Sequence, residues 1–239
     1  MFQSLKRHIF RLFHPVAGEV WQLHRITEET AAEEKERPYE ITPQYLENLI
    51  QKALAKGCRF VSIGQATEYI TRRQTPDFRN KWIAVTLDDG YADNMEQAFP
   101  IFNKYHIPFC IYITRDYILN GHKQYRFLSV GQLQQLSREP LCTLGCHTCS
   151  HPHLASLPEE AQRKEITECK QWLEQLIVKH ITHLAYPYGN YTPQTLRLAR
   201  QAGFTSAVAA WGGEIRKGVT YNPYTIPRIL ITPQQPASA

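Results

Sequence analysis

A series of short apolar runs punctuates this chain, and none shows the strict apolar–polar alternation of a strand with one wet face. The runs are Val20–Leu23, Phe60–Ile63, Trp82–Leu87, Phe109–Thr114, Cys142–Gly145, His183–Tyr186, Ser206–Ala209 and Tyr224–Ile226. Such segments read as strands covered on both faces. Between them lie amphipathic stretches with helix start and stop signals. Thr42-Pro43 offers an N-cap and a first-turn proline ahead of Tyr45, Leu46, Leu49, Ile50 and Leu54, with Gly57 to stop the helix. Ser156-x-x-Glu159 has the form of a capping box and precedes Ile166, Cys169, Leu173, Leu176 and Ile177 at helical spacing. Thr192-Pro193 opens a third helix, which carries Leu196, Leu198 and Ala199 and is closed by Gly203. Strand and helix alternating in this order predict βα units around a parallel sheet. With 239 residues and this many strands, a barrel, complete or irregular, is favoured over an open sheet.

Composition narrows the class further. A charged fraction of 21% with 43% hydrophobic residues is ordinary for a globular domain. The excess of 27 Lys+Arg over 22 Asp+Glu is too small to imply nucleic acid without a basic patch, so no nucleic-acid partner is expected. No run approaches the roughly 18 apolar residues of a membrane span. In Met1–His14, Lys6, Arg7 and Arg11 interrupt any apolar core, so the segment is not a secretory signal. Phe2, Leu5, Ile9 and Phe13 fall near one face of a short basic helix, which either packs on the body or makes weak contact with an anionic membrane surface. Six cysteines without an export signal are expected to be reduced thiols. These points make the expectation a cytoplasmic protein, membrane-associated only through its N-terminus. The chain divides into a basic amphipathic segment over 1–17, one domain over 18–232 and a tail over 233–239. Within it, 28–37 reads as a charged, solvated loop.

Barrels carry their chemistry at the C-terminal ends of the strands. Trp82–Leu87 is followed by Asp88-Asp89-Gly90-Tyr91. Two carboxylates that close are costly unless a cation joins them or one is protonated; the plain alternative is a capping pair with a turn glycine. Cys142–Cys146 is followed by His147-Thr-Cys-Ser-His151-Pro-His153. Two imidazoles four apart can share a cation, although the spacing alone recurs by chance. Asp and two His make three protein ligands with further positions open, the pattern of a hydrolytic metal site. Cys146 and Cys149 are poorer candidates, because a Cys-rich site leaves the Asp pair unexplained. His183–Ala185 leads into Tyr186-Pro-Tyr188-Gly189, a turn that can aim an N–H inward. Val20–Leu23 leads into His24-Arg25, where a lone His is as readily structural as functional. Tyr91, Asn94, Tyr112, Tyr186, Tyr188, Tyr191 and Trp211 lie on or after the same segments, and one or two of these aromatics could stack on a sugar ring.

Thr86-Leu-Asp-Asp-Gly90, His147-Thr-x-x-His151-Pro and Ala185-Tyr-Pro-Tyr-Gly189, in that order, resemble the three motifs of the polysaccharide deacetylase family (carbohydrate esterase family 4, with a NodB-like deacetylase domain). The similarity runs over almost the whole chain. It implies a distorted (β/α)7 barrel, a divalent metal ion with zinc the leading choice, and removal of acetyl groups from a carbohydrate containing N-acetylhexosamine. By position, the resemblance makes Asp88 the general base. Asp89, His147 and His151 become the metal ligands, and the Tyr188 N–H an oxyanion donor. Leu23-His24-Arg25-Ile26 is similar to a segment of one branch in which an early His is the acid. The pattern is departed from twice. Ala185 stands where the family's third motif begins with Arg, and Arg228, after another apolar run, is the candidate replacement. No His follows His183, so a late His acid is absent and protonated His24 is the candidate. The competing functions are a catalytically impaired glycan-binding module and a deformylase of a lipid-linked aminosugar.

Overall fold

The computed structural model describes residues 13–28, 38–72, 80–121 and 124–233. Residues 1–12 of the expected basic segment, 234–239 of the tail and 29–37 of the charged loop lie outside the described residues, and the end of the basic segment, from Val16, already belongs to the first strand.

The strands are β1 (Val16–Leu23), β2 (Arg25–Ile26), β3 (Glu40–Ile41), β4 (Arg59–Val61), β5 (Trp82–Leu87), β6 (Phe109–Ile113), β7 (Cys142–Cys146), β8 (His183–Ala185), β9 (Ser206–Val208), β10 (Ile215–Arg216) and β11 (Ile229–Leu230). The main helices between them are α1 (Pro43–Ala55), α2 (Ile63–Arg72), α3 (Phe99–Lys104), α4 (Arg115–Asn120), α5 (Val130–Leu136), α6 (Glu159–Ile177) and α7 (Pro193–Gln201). The sheet runs β10-β1-β5-β6-β7-β8-β9, parallel throughout except for β10, and β4 adds to the start of β5.

Both faces of this sheet are covered, which is why its strands show no wet–dry alternation in sequence. Residues of one parity, such as Val20, Trp82, Ala84, Cys110, Tyr112, Ala185 and Val208, form an inner cluster, and α2 adds Ile63, Ala66 and Ile70 to it. The other parity, such as Leu23, Ile83, Val85, Phe109 and Ile111, packs outward with Leu46, Ile50, Phe102, Leu133 and Leu173 of the helices. Inside the barrel, backbone and ring approach closely. A Cβ on Gly18 would lie 2.1 Å from the Trp82 ring.

The segment after β10 closes the curled sheet. Ile226 bridges Val208 of β9, and three residues later β11 pairs with β1 through Trp21↔Ile229 and Gln22↔Leu230. Arg228 is thus carried between the last strand and the first. Tyr224–Ile226, expected as a strand, is reduced to that single bridge because the chain leaves β9 at once to reach β1.

Helix starts follow the sequence at Thr42 and Thr192, whose side chains accept from Tyr45 N and Thr195 N. They depart from it at Ser156. Its hydroxyl donates to His153 O at 2.7 Å, Pro158 occupies the N-cap of α6, and the expected capping box does not form. Capping boxes form instead at Ser129/Gln132, which opens α5, and at Thr192/Thr195, which opens α7. All six cysteines are free thiols, and no described helix is long and apolar enough to cross a membrane.

Candidate metal centre and cleft

The inner parity of β5 runs Trp82, Ala84, Thr86, Asp88. A strand would turn Asp89 to the opposite face. Instead Asp89 takes φ +74°, followed by Gly90 at φ +86°, and both carboxylates reach the C-terminal mouth of the barrel. Thr148, His151 and Tyr188 also have positive φ, at 68°, 61° and 58°. Non-glycine residues rarely hold this conformation, and such backbone gathers where a site over-determines it.

Asp88 is 1% exposed. Arg228 donates Nη1 to its Oδ1 and Nη2 to its Oδ2, both at 2.8 Å, and Gln22 Nε2 donates to Oδ2 at 2.9 Å. The guanidinium is itself fixed by Ala209 O at 2.7 Å and Thr86 Oγ1 at 3.1 Å. Burial alone would raise the Asp88 carboxyl. Arg228, aided by His147 and His24, overcomes that and holds it well below the usual carboxylate range. The carboxylate is therefore ionised at any working pH, and correspondingly weak as a base.

Asp89, His147 and His151 point one atom each at a common centre. His151 Nε2 lies 3.2 Å from His147 Nε2 and 3.4 Å from Asp89 Oδ1, and His147 Nε2 lies 3.6 Å from that oxygen. A tetrahedral ion with bonds of about 2.0–2.1 Å separates its ligands by about 3.3–3.4 Å, so the three atoms match the face of such a site. The donor chemistry fits as well. His147 Nδ1 is 2.9 Å from Ala185 O and must donate there, which leaves Nε2 with its lone pair toward the centre. Burial lowers both imidazoles, His151 to about 2 with help from His147, so both are neutral and competent to ligate. Among the described residues no other His/Cys/Asp/Glu cluster has this form. Cys146 and Cys149 stay out of it, buried with raised thiols.

The loop joining the two histidines is pinned from α6. Glu165 accepts from Cys149 N and Ser150 N at 2.9 Å each, and from Ser150 Oγ at 2.7 Å. Nothing in sequence marks Glu165 for this; it is one acidic residue among several on its helix. Gln22 was more legible, as the one amide inside the run Val20–Leu23.

His24 sits with Nε2 3.9 Å from Asp88 Oδ2. Burial pulls its pKa down to about 4, more than Asp88 can raise it. In this setting the imidazole is held neutral at neutral pH.

These residues floor a cleft of about 550 Å³. Of the aromatics picked from sequence, Tyr91, Tyr188 and Trp211 line it, whereas Tyr112 and Tyr186 are buried in the core. Asn94, also buried, donates to His24 O. Tyr39, Tyr117, Tyr125 and Phe127 join the lining although no motif announced them. His153 stacks on Tyr188 with centroids 4.0 Å apart.

Four buried or largely buried histidines give the fold a steep pH dependence. His24 and His183 are lowered to about 4, His151 to about 2, and His147 in the same direction, all mainly by burial. Unfolding returns each to its ordinary value near 6.5, where it takes up a proton. Asp93 runs the other way: burial raises it to about 6 despite Ile26 N–H and Arg25, so the folded protein protonates it first. The unfolded state still binds two to three more protons near pH 5. Stability of the metal-free protein is expected to fall by about 3–4 kcal/mol per pH unit there. Urea midpoints between pH 7 and 5 check this; a flat profile contradicts it.

Comparison with known proteins agrees with this picture. A family model described as polysaccharide deacetylase matches residues 75–207. The putative polysaccharide deacetylase YxkH of Bacillus subtilis is 26% identical over 175 residues, covering 73% of this chain and 60% of that protein. The poly-β-1,6-N-acetyl-D-glucosamine N-deacetylase of Staphylococcus epidermidis is 26% identical over 207 residues, covering 81% and 68%. The chain thus spans about three-fifths to two-thirds of these relatives. The structure of IcaB from Ammonifex degensii superposes with a TM-score of 0.80 at 24% identity, over 91% of this chain and 93% of that one, and shares the fold. With the family model spanning more than half of the chain and the barrel shared, the chain belongs to the polysaccharide deacetylase family.

Proposed function

We propose that the chain is a divalent-metal-dependent hydrolase that removes the N-acetyl group from an N-acetylated sugar in a glycan. The C–N bond is exchanged for a C–O bond, releasing acetate and a free amine. The carrying observation is a buried carboxylate, Asp88, locked by Arg228 beside the Asp89/His147/His151 donor set at the floor of an aromatic cleft. The relatives named as N-deacetylases of poly-β-1,6-N-acetyl-D-glucosamine support a sugar amide as the substrate. The three converging donors argue against a binding-only module, which has no need of them.

Two imidazole nitrogens and one carboxylate oxygen suit zinc. A divalent ion held there would polarise the amide carbonyl and acidify the attacking water. The protein's own groups do the rest. Asp88 accepts the proton of the water; being a weak base, it depends on that acidification and gives the proton up readily. The Tyr188 N–H, presented by its left-handed backbone, is the donor for the carbonyl oxygen as negative charge builds there. His24, neutral beforehand, relays the proton to the departing amine. The aromatic walls exclude water from the sugar faces.

The test is acetate release from an N-acetylglucosamine oligomer before and after chelation. Activity is expected to vanish on stripping and to return with about one equivalent of zinc. Unchanged turnover in the stripped protein contradicts the proposal. The loop clamp adds a second expectation. Glu165→Ala should weaken zinc binding by roughly tenfold or more, measured by competition with a chromophoric chelator, because the histidine loop loses its anchor. Equal affinity in the variant would leave Glu165 without that role.

A further inference from the structure

We propose that Arg25 positions His24 for proton transfer and ties it to the aromatic wall that meets the substrate; this rests on the reading of His24 given above. The His24 ring has little to hold it directly. Its Nδ1 is buried without a hydrogen-bond partner, and its Nε2 is 3.9 Å from Asp88, beyond a hydrogen bond. It is held instead from its surroundings, through two supports. Asn94 Nδ2 donates to His24 O at 2.8 Å, and the Tyr39 ring packs against the imidazole at 4.7 Å between centroids, edge to face.

Both supports lead to Arg25. On one side its Nε donates to Asp93 Oδ2 at 3.3 Å, while Asp93 Oδ1 accepts from Asn94 Nδ2 at 3.0 Å and from Ile26 N at 3.1 Å. On the other side its Nη1 donates to Glu40 Oε1 at 2.5 Å, and Glu40, next to Tyr39, pairs with Arg25 across β2 and β3. The guanidinium is also 4.9 Å from the Tyr125 ring and 5.8 Å from the Tyr91 ring, two residues of the cleft wall. Arg25 is only 14% exposed, and two carboxylates already compensate its charge. Its fork spans those carboxylates at fixed angles while its plane faces two rings, which a lysine cannot reproduce. Arg25 is a positioning residue: it touches neither the donor set nor Asp88 in the contacts described.

The experiment is a double-mutant cycle on acetate release from an N-acetylglucosamine oligomer, using the zinc-loaded full chain. Arg25→Lys is expected to lower kcat by about 10–100-fold with KM changed less than about threefold, as for a group displaced by about an ångström. In a His24→Ala background the same substitution should cost less than about twofold, because the residue it positions is gone. Equal losses in the two backgrounds, or an unchanged kcat in Arg25→Lys, overturn the proposal. If Arg25→Lys does not fold, Glu40→Gln loosens the same fork and is expected to show a smaller loss with the same coupling to His24; additive losses there overturn it equally. An active wild type with additive effects defeats this proposal alone. A wild type that releases no acetate defeats the functional reading and this proposal with it.

Discussion

Replacing Arg228 with methionine is expected to cost about 3–5 kcal/mol of stability and nearly all turnover. Arg228 is fully buried, and among the described residues its two hydrogen bonds at 2.8 Å are the direct compensation of the Asp88 charge by a full positive charge. Without it, burial outweighs the smaller help from His147, His24 and the Gln22 amide, and the Asp88 carboxyl of the metal-free protein rises and takes up a proton, so the group proposed to accept a proton already carries one. The variant should therefore regain part of its lost stability as pH falls from 7 toward 5, against the trend of the wild type. Arg228→Lys should fail as well, because one ammonium cannot reach both carboxylate oxygens together with Thr86 and Ala209. Combining Arg228→Met with Asp88→Asn removes both charges and is expected to recover most of the stability with no recovery of turnover. Urea unfolding with acetate assays on the single and double variants checks this. A stability loss below about 1 kcal/mol in Arg228→Met would contradict the picture of a buried pair.

How far the sequence anticipated this site depends on the range of each contact. The barrel was legible because strand residues of both parities are apolar, and because caps at Thr42 and Thr192 set the helix starts. The placement of Asp88, Asp89, His147 and His151 at strand exits followed from βα order alone. What joins them did not. Arg228 reaches Asp88 across 140 positions of sequence, and only the closing segment, handed from β9 to β1, makes the contact possible. Ala185 faces the inner cluster at the strand end where the family motif would place an Arg, so the guanidinium enters from the opposite end of the chain. Glu165 escaped notice because it acts through hydrogen bonds to a loop, with no periodic or motif signature, and Arg25, though read beside His24, took no role because its carboxylate partners Glu40 and Asp93 are brought to it only by the fold. The misplaced capping box at Ser156 was a local rule overridden by a tighter turn, in which the hydroxyl closes on His153 O. The protonation of His24 depends on burial, which composition does not report.

The second large effect is that of Asp88→Asn. The amide keeps the shape of the carboxylate but cannot accept the proton of the attacking water, and it turns an NH2 toward Arg228. Turnover should fall by about 10²–10⁴-fold, the range associated with a positioned general base. Metal binding should survive, because Asp89, His147 and His151 are untouched and His147 keeps its bond to Ala185 O. That combination separates loss of chemistry from loss of the site. Some weakening of the fold is expected too, since Arg228 is left without its partner, so the zinc content of the folded fraction must be measured alongside activity. The decisive measurement is acetate release from an N-acetylglucosamine oligomer by Asp88→Asn protein shown to hold about one equivalent of zinc. Zinc retained with turnover lost by at least about a hundredfold is the predicted result; wild-type turnover in that zinc-loaded variant would contradict it.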